Sequence, residues 1–215
     1  MRGALSTPRG RLALAVGTPR WVWPCAGGGI LAAILGARLN GRARGSALLV
    51  AAAAGAIVAF FRDPERAPAE GALLAPADGV ISAVERLPDG RTRVATFMRL
   101  YDVHVNRAPA AGVVHELTHH PGGYRPAFRK DSASNERMVW LIQSALGELE
   151  LVQIAGLAAR RIVPYRSVGE SVAQGERIGM IRFGSRVDVF MPAGTEPTIR
   201  VGDRVHAGRT RLDLP

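Results

Sequence analysis

The sequence predicts a mainly β (α+β) protein, in which a β-rich, barrel-sandwich-like domain follows an N-terminal helical hairpin. Three observations support this class. Two uncharged runs of 17 residues lie near the N-terminus, at residues 21–37 and 45–61. From Pro64 onward, short β-branched runs alternate with glycine, proline and aspartate, and an eight-residue pattern occurs twice near the C-terminus. Such short, evenly spaced strands are typical of a sandwich or partly open barrel rather than of βαβ units.

The first predicted element is a membrane-associated hairpin at residues 21–61, behind a basic tail at residues 1–20. A helix rises ~1.5 Å per residue, so each run covers ~25 Å, the lower limit for crossing the hydrocarbon core. Pro24 and Gly27 to Gly29 favour a re-entrant or interfacial element for the first run. The alternatives are a buried core hairpin and a cleaved signal peptide, although a signal peptide would explain only the first run.

Arginines lie both before the first run and in the connection at residues 38–44, so they give no clean orientation. If both runs cross the membrane, the segments on either side of the hairpin lie on the same side. We expect the protein at the cell membrane with its β-rich domain on the cytoplasmic side, where arginines are attracted to anionic headgroups.

The β-rich domain covers residues 62–215, and eight strands are expected in it. Each is a β-branched or aromatic run bounded by turn residues, such as Pro88-Asp89-Gly90. The expected strands are residues 79–86, 92–98, 102–106, 112–117, 137–143, 148–154, 177–182 and 186–190.

The internal repeat pairs residues 168–175 (VGESVAQG) with residues 201–208 (VGDRVHAG). Each copy has two valines four residues apart and a glycine turn on either side, which predicts two equivalent hairpin corners. The pattern resembles the corners of the barrel-sandwich hybrid fold of lipoyl and biotinyl domains. Because no lysine lies between the copies, the carrier role of that fold is not expected.

The composition excludes several classes of function. The formal net charge is +10, and of the 28 lysines and arginines only Lys130 is a lysine. A pyridoxal phosphate decarboxylase needs a Schiff-base lysine, so this class has a single candidate residue. Aromatic residues make up 6% of the chain and the arginines are scattered, so no nucleic-acid partner is expected. Cys25 is the single cysteine, which excludes a disulfide framework and a thiolate metal site.

Three histidines lie close together in the sequence: His115, His119 and His120. This segment runs into Pro121-Gly122-Gly123 and has no carboxylate at helical spacing beyond Glu116, so we expect a loop there and no metal site.

The pair Gly184-Ser185 interrupts a β-branched and aromatic run, where glycine marks a bulge, a bend or a close approach. One interpretation is a β-bulge with a solvent-facing serine. The other is self-cleavage, in which the Ser185 hydroxyl attacks the Gly184 carbonyl with help from a base and a partner that orients the base. His104, in an alternating predicted strand, is the candidate base. Asp78 is the candidate acid, although Asp-Gly after proline is also a common turn.

Five segments carry a resemblance to a known family: FFRDPER (60–66), APADG (75–79), DVHVNRAP (102–109), AFRK with NER (127–130 and 135–137), and FGSRVD (183–188). In this order and behind a membrane hairpin, they resemble the short prokaryotic form of the phosphatidylserine decarboxylase proenzyme. The resemblance runs from about Phe60 to the C-terminus.

The resemblance implies that Ser185 attacks Gly184, that the ester breaks by elimination, and that loss of ammonia leaves a pyruvoyl group as the covalent cofactor. The products would be a β chain, residues 1–184, and an α chain, residues 185–215. Asp78 and His104 would be acid and base of the self-cleavage triad with Ser185. Long-form members have two histidines three apart in this motif, whereas Arg107 occupies the second position here, which leaves open whether His104 also acts in decarboxylation.

The implied reaction is decarboxylation of phosphatidylserine in the membrane to phosphatidylethanolamine, through a pyruvoyl Schiff base. Arg129 and Lys130 are candidates for holding the substrate phosphate or carboxylate, with a solvated basic turn as the alternative. Whether the protein forms a homodimer is left open by the sequence. The competing functions are a pyruvoyl-dependent decarboxylase of a soluble amino acid, a non-enzymatic Arg-rich binding module, and a serine hydrolase. The hairpin argues against the first, and the surroundings of Ser185 lack the Gly-x-Ser-x-Gly motif of the last.

Overall fold

The computed structural model describes residues 14–123, 134–156, 161–182 and 185–213. It contains two N-terminal helices followed by strands, which confirms the predicted mainly β class. The chain divides into two compact units, Met1–Pro64 and Glu65–Pro215.

The first unit contains helices α1, Val22–Ala37, and α2, Gly41–Phe60. Of the helices in the described ranges, α2 is the one long and apolar enough to cross a membrane, whereas α1 is shorter. Pro24 does not interrupt α1, because it lies in the first turn, where a backbone N–H has no partner within the helix.

Small residues bring the two helices into close contact. A Cβ atom added to Gly29 would lie 2.4 Å from the Ala54 Cβ, and one added to Gly36 would lie 2.9 Å from the Ala47 Cβ. The two contact points are seven residues apart on each helix, so one face of α1 packs along one face of α2.

The second unit contains eleven strands among its described residues, and they form two antiparallel sheets. The eight-stranded sheet has the order β11-β1-β2-β10-β6-β5-β4-β8, and the three-stranded sheet has the order β3-β9-β7. Neither sheet closes into a barrel within the described ranges. The strands are β1 Gly79–Arg86, β2 Thr92–Met98, β3 Val105–Arg107, β4 Gly112–His120, β5 Arg137–Ser144, β6 Gly147–Ala155, β7 Ile162–Pro164, β8 Ser171–Val172, β9 Arg177–Ile181, β10 Ser185–Met191 and β11 Arg204–Val205.

The core lies against one face of the large sheet. Val187 and Val189 of β10 point into it together with Trp140 and Leu151, and all four are fully buried. Side chains alternate along a strand, so Ser185 shares the core face with these valines. The central position of β10 therefore places Ser185 in the interior.

The strand predictions were wrong at several ends. The strand expected at residues 102–106 begins at Val105, so His104 precedes it. The reason is a turn closed by two hydrogen bonds, in which the Asp102 backbone N–H donates to the Arg99 carbonyl and the Arg99 N–H donates to the Asp102 carboxylate. Strand β4 continues to His120, where a loop was expected, because it stays paired with β5. The short strands β7, β8 and β11 were not predicted.

The repeat marks two equivalent corners, as predicted. Its two copies contribute β8 and β11, which pair with β4 and β1 at opposite edges of the large sheet. The contacts match as well, because Gly169 N–H donates to Val114 O at 2.8 Å and Gly202 N–H donates to Ile81 O at 2.9 Å. All four glycines of the repeat have positive φ, from 70° to 97°, a conformation that glycine adopts without strain.

Candidate active site

Ser185 is the first residue of β10, where it pairs with Met98 of β2 on one side and Ala155 of β6 on the other. It has no solvent exposure, and its hydroxyl donates to the Met98 Sδ at 3.5 Å. A thioether sulfur is a weak acceptor. The hydroxyl is therefore buried next to a group that holds its proton only loosely, and a solvent-facing serine is excluded.

His104 is fully buried just before β3. Its Nδ1 lies 2.9 Å from the carbonyl oxygen of Asp102, and its own carbonyl accepts a hydrogen bond from the Ile181 N–H at 3.3 Å. A carbonyl can only accept, so the proton of the neutral ring resides on Nδ1 and the basic lone pair on Nε2. The contact with Ile181 places His104 beside the end of β9, four residues before Ser185 in sequence.

The turn that carries His104 is held by Asp102, which the sequence did not single out. The Asp102 carboxylate is 1% exposed, accepts from the Arg99 backbone N–H at 2.8 Å and pairs with the Arg204 guanidinium at 2.6 Å. Because Asp102 also provides the carbonyl for His104 Nδ1, this ion pair fixes the backbone that sets the orientation of the imidazole ring.

Asp78, the predicted acid, is 5% exposed and is held by other residues. Its two oxygens accept from the Arg66 guanidinium at 2.5 and 2.7 Å, and Oδ1 also accepts from the Ala207 N–H at 2.8 Å. Nδ1 of His206 lies 3.8 Å from the carboxylate. Within the described ranges, Asp78 makes no hydrogen bond to His104, so the two predicted triad members are not joined directly.

The charge of Asp78 is well supported in this environment. Burial alone would raise the pKa of Asp78, but the hydrogen bonds and charge of Arg66 and the Ala207 N–H together hold that pKa below its usual value. The group is therefore a carboxylate at neutral pH. It is a fixed negative charge that ties Arg66 to the loop at Ala207.

A chain of buried polar side chains ends at Ser185. Trp140 Nε1 donates to Gln153 Oε1 at 2.8 Å, and Gln153 Nε2 donates to Asn106 Oδ1 at 2.7 Å. Asn106 Nδ2 then approaches the Met98 Sδ at 3.7 Å, and this sulfur also accepts the Ser185 hydroxyl. All five residues are fully buried.

Arg107, three residues after His104, is buried against the glycine turns of the repeat. It is 4% exposed, and its Nη1 donates to the Gly175 carbonyl at 2.8 Å. A Cβ atom added to Gly208 would lie 3.2 Å from the Arg107 Cδ and 3.5 Å from the Gly175 Cα. Arg107 therefore lies where the glycine turns of the two repeat copies meet.

Three predicted site residues, Gly184, Arg129 and Lys130, lie outside the described residues. In the described ranges no three His, Cys, Asp or Glu side chains are grouped as metal ligands. Of the predicted histidine cluster, His119 contacts Glu136, with 3.3 Å between Nε2 and Oε1.

An open cleft of about 500 Å³ lies on the opposite face of the large sheet from Ser185, where Arg93, Arg186 and Asp188 line it. The two arginines both pair with Asp188, at 2.9 and 2.8 Å. Burial nevertheless raises the pKa of Asp188 and outweighs the opposing effect of Arg186 and Arg93. The alternation along β10 points Ser185 away from this cleft, which is therefore not the candidate active site.

Sequence reasoning missed Asp102, Asn106 and Gln153 as members of the site. A signal for Gln153 exists in the sequence, since it lies within the otherwise apolar stretch at residues 151–155. Such residues are buried only with hydrogen-bond partners.

Comparisons with known proteins give the family of this chain. The family model for phosphatidylserine decarboxylase matches residues 54–213. A phosphatidylserine decarboxylase proenzyme of Thermobifida fusca is 52% identical over 200 residues, covering 93% of this chain and 92% of the relative. One of Streptomyces avermitilis is 49% identical over 208 residues, covering 97% of this chain and 96% of the relative. The chain therefore belongs to the phosphatidylserine decarboxylase family.

Proposed function

We propose that this chain is the proenzyme of a pyruvoyl-dependent phosphatidylserine decarboxylase, which cleaves itself between Gly184 and Ser185. The observation that carries the proposal is the setting of Ser185. Its hydroxyl is fully buried at the start of a central strand and weakly held, with the buried His104 beside the end of the preceding strand.

Self-cleavage begins when the Ser185 oxygen bonds to the Gly184 carbonyl carbon and the peptide C–N bond breaks, so that an ester replaces the amide and the nitrogen gains a proton. Removal of the Ser185 α-proton then breaks the Cβ–Oγ bond, and Gly184 leaves as a carboxylate. The remaining enamine becomes an imine, and one water replaces its nitrogen as ammonia. The products are the β chain, residues 1–184, and an α chain, residues 185–215, that begins with a pyruvoyl group.

His104 is proposed as the base that takes the Ser185 hydroxyl proton. Its Nδ1 is occupied by the Asp102 carbonyl, so Nε2 is the atom that receives the proton. Asp78 is proposed as the third member of the triad. Its hydrogen bonds to Arg66 and Ala207 suggest that it acts through the loop that it holds rather than by direct contact with the imidazole.

The position of Ser185 suits a pyruvoyl group, because a reactive carbonyl formed there is shielded from bulk water beside the Met98 thioether. Once formed, this group supplies the carbonyl that binds the substrate amine and accepts the electron pair released with carbon dioxide. His104 is proposed to return a proton to the substrate α-carbon. Arg129 and Lys130 are proposed to hold the substrate phosphate or carboxylate.

The membrane-bound substrate is proposed because α2 is long and apolar enough to anchor the protein in the bilayer. We place the β-rich unit at the cytoplasmic face of the cell membrane, with phosphatidylserine as the substrate and phosphatidylethanolamine as the product. The α and β chains stay together as partners, and homodimer formation is a further proposal that size measurement in detergent tests. A soluble amino acid as substrate is the competing proposal.

The test of self-cleavage is a denaturing gel and an intact mass of the purified full-length protein. We expect two chains, with the α chain lighter by one ammonia than the peptide that simple hydrolysis would release. Ser185→Ala should remain a single chain without activity, whereas Ser171→Ala, at an exposed serine of β8, should be processed normally. A single uncleaved chain that decarboxylates lipid would overturn the mechanism. Activity on serine in solution but not on phosphatidylserine vesicles would overturn the substrate.

A further inference from the structure

We propose that Trp140, Gln153, Asn106 and Met98 form a positioning relay that sets the direction of the Ser185 hydroxyl for self-cleavage. The inference rests on the proposed function, which it extends to residues outside the triad. None of the relay residues carries out chemistry in this proposal. Trp140, Gln153 and Asn106 hold the Met98 sulfur in place, and this sulfur accepts the hydrogen bond of the Ser185 hydroxyl.

The direction of every hydrogen bond in the relay follows from its first member. The indole N–H of Trp140 can only donate, so the Gln153 atom facing it at 2.8 Å is the amide oxygen. The amide nitrogen of Gln153 must then donate to the oxygen of Asn106, which turns the Asn106 NH₂ group toward the Met98 sulfur. The sulfur has no proton to give. It therefore accepts from Asn106 on one side and from the Ser185 hydroxyl on the other.

The relay connects the two sheets. Asn106 belongs to β3 of the three-stranded sheet, whereas Gln153, Met98 and Ser185 lie on three neighbouring strands of the large sheet. The absence of a side chain at Gly179 makes space for the Gln153 amide, because a Cβ atom added to Gly179 would lie 3.1 Å from Gln153 Nε2. A buried amide is costly unless its partners are in place, so two amides in this core fix one arrangement of the sheets around Ser185.

This arrangement affects the nucleophile in two ways. The Ser185 proton points at sulfur, so the oxygen lone pairs lie on the sides away from Met98. Sulfur is also a weak acceptor, so the proton is released to a base more easily than from a carbonyl or carboxylate. Asn106 holds the sulfur of the flexible Met98 side chain next to the Ser185 hydroxyl.

The experiment measures how fast the full-length proenzyme becomes two chains after cell-free synthesis, followed on a denaturing gel. Met98→Leu keeps the volume and removes the sulfur, and Asn106→Leu removes the anchor of that sulfur. We expect each to slow cleavage at least tenfold. Thr96→Val is the matched control, because Thr96 lies on the same strand, is 1% exposed, and its Oγ1 has no hydrogen-bond partner in the described structure. Its cleavage rate should stay within twofold of the wild type.

A substitution that lowers the stability of the proenzyme would also slow its cleavage. The free energy of unfolding is therefore measured on the same samples by urea denaturation. Ile142→Val serves as a second control, since it removes a methyl group from the buried core on β5. At an equal loss of stability, Met98→Leu should cleave at least tenfold more slowly than Ile142→Val. Equal rates for these two variants would overturn the relay and leave a packing role.

The two proposals fail in different ways. If the wild type never becomes two chains, self-cleavage itself is wrong. If the wild type cleaves and both Met98→Leu and Asn106→Leu cleave at its rate, self-cleavage stands and the relay is refuted.

Discussion

Replacing Arg66 with methionine should lower the free energy of unfolding by about 3 kcal/mol at pH 7. The Arg66 and Asp78 side chains are 13% and 7% exposed, and they share two hydrogen bonds of 2.5 and 2.7 Å. Removing one partner of a buried ion pair costs about 3–5 kcal/mol, because it leaves an uncompensated charge. The Ala207 N–H still donates to Asp78 in the variant, which places the expected loss at the lower end.

The loss of unfolding free energy in Arg66→Met should become smaller as the pH falls, which would identify the Asp78 carboxylate as its source. In the wild type the pKa of Asp78 is lowered, so its contribution is complete above the usual value of 3.8 and is lost as the pH falls through the folded-state pKa. In Arg66→Met the arginine no longer opposes burial, which has the largest effect on Asp78, so we expect burial to raise that pKa above the unfolded value against the smaller effects of the Ala207 N–H and His206. Stability of the variant is then gained as the pH falls through the raised pKa. The difference from the wild type should therefore shrink between pH 7 and pH 4, close to the unfolded value of 3.8.

The assay is urea denaturation of the full-length protein in detergent micelles at both pH values. Arg86→Met is the control, because it breaks the pair between Arg86 and Glu196, whose side chains are 63% and 56% exposed. Exposed pairs contribute about 0–1 kcal/mol, so this variant should lose little stability at either pH. A loss below about 1 kcal/mol for Arg66→Met, or one that is the same at both pH values, would refute the assignment of a buried ion pair.

Two further predictions concern the base and the hairpin. His104→Ala should remain a single chain on a denaturing gel. The control His119→Ala, at a partly exposed histidine, should be cleaved into two chains. Cleavage of His104→Ala at the wild-type rate would exclude His104 as the base. Gly29→Leu should destabilise helix packing by about 1–3 kcal/mol in micelles, because its Cβ would lie 2.4 Å from the Ala54 Cβ, whereas Gly55→Leu faces open space and should have little effect. Equal unfolding midpoints for the two glycine variants would contradict this packing.

Local patterns predicted the long strands well. Strands β1 and β2 have the expected limits, because alternation and turn residues act within a few positions. The short strands β7, β8 and β11 were missed since they have two or three residues, too few for an alternating pattern, and β8 and β11 pair with strands far away in sequence. The sequence also shows two equivalent corners without showing which edges of the sheet they occupy.

The sequence predicts which residues belong to the candidate site but not which residues they contact. Ser185 and His104 stand out in the sequence, and both are fully buried. The partners of Asp78 do not stand out, because Arg66 is one of many arginines and Ala207 contributes only its backbone N–H from 129 residues away. Such contacts depend on which distant loops the fold brings together, and no local pattern reports them.

The position of the proposed cut has a consequence for how the two chains stay together. Gly184-Ser185 lies between the two copies of the repeat, so residues 168–175 end in the β chain and residues 201–208 in the α chain. The copies occupy opposite edges of one sheet, yet their glycine turns meet at Arg107. After the proposed cut, β10 would keep its pairing on both sides with strands of the β chain.

The contacts between the two chains also include the charged groups that support the site. Asp78, in the proposed β chain, accepts a hydrogen bond from the Ala207 N–H of the proposed α chain, and Asp102 pairs with Arg204 across the same proposed boundary. Because Asp102 also orients His104, loss of the proposed α chain would remove Ser185 and also the Arg204 partner that holds the His104 turn. The fold therefore makes retention of the small fragment and the geometry of His104 depend on the same contacts. Arg66→Met removes the contacts of Arg66 with Asp78 and with the Ala207 carbonyl. The α chain of the processed variant should therefore dissociate at a lower urea concentration than the α chain of the processed wild type.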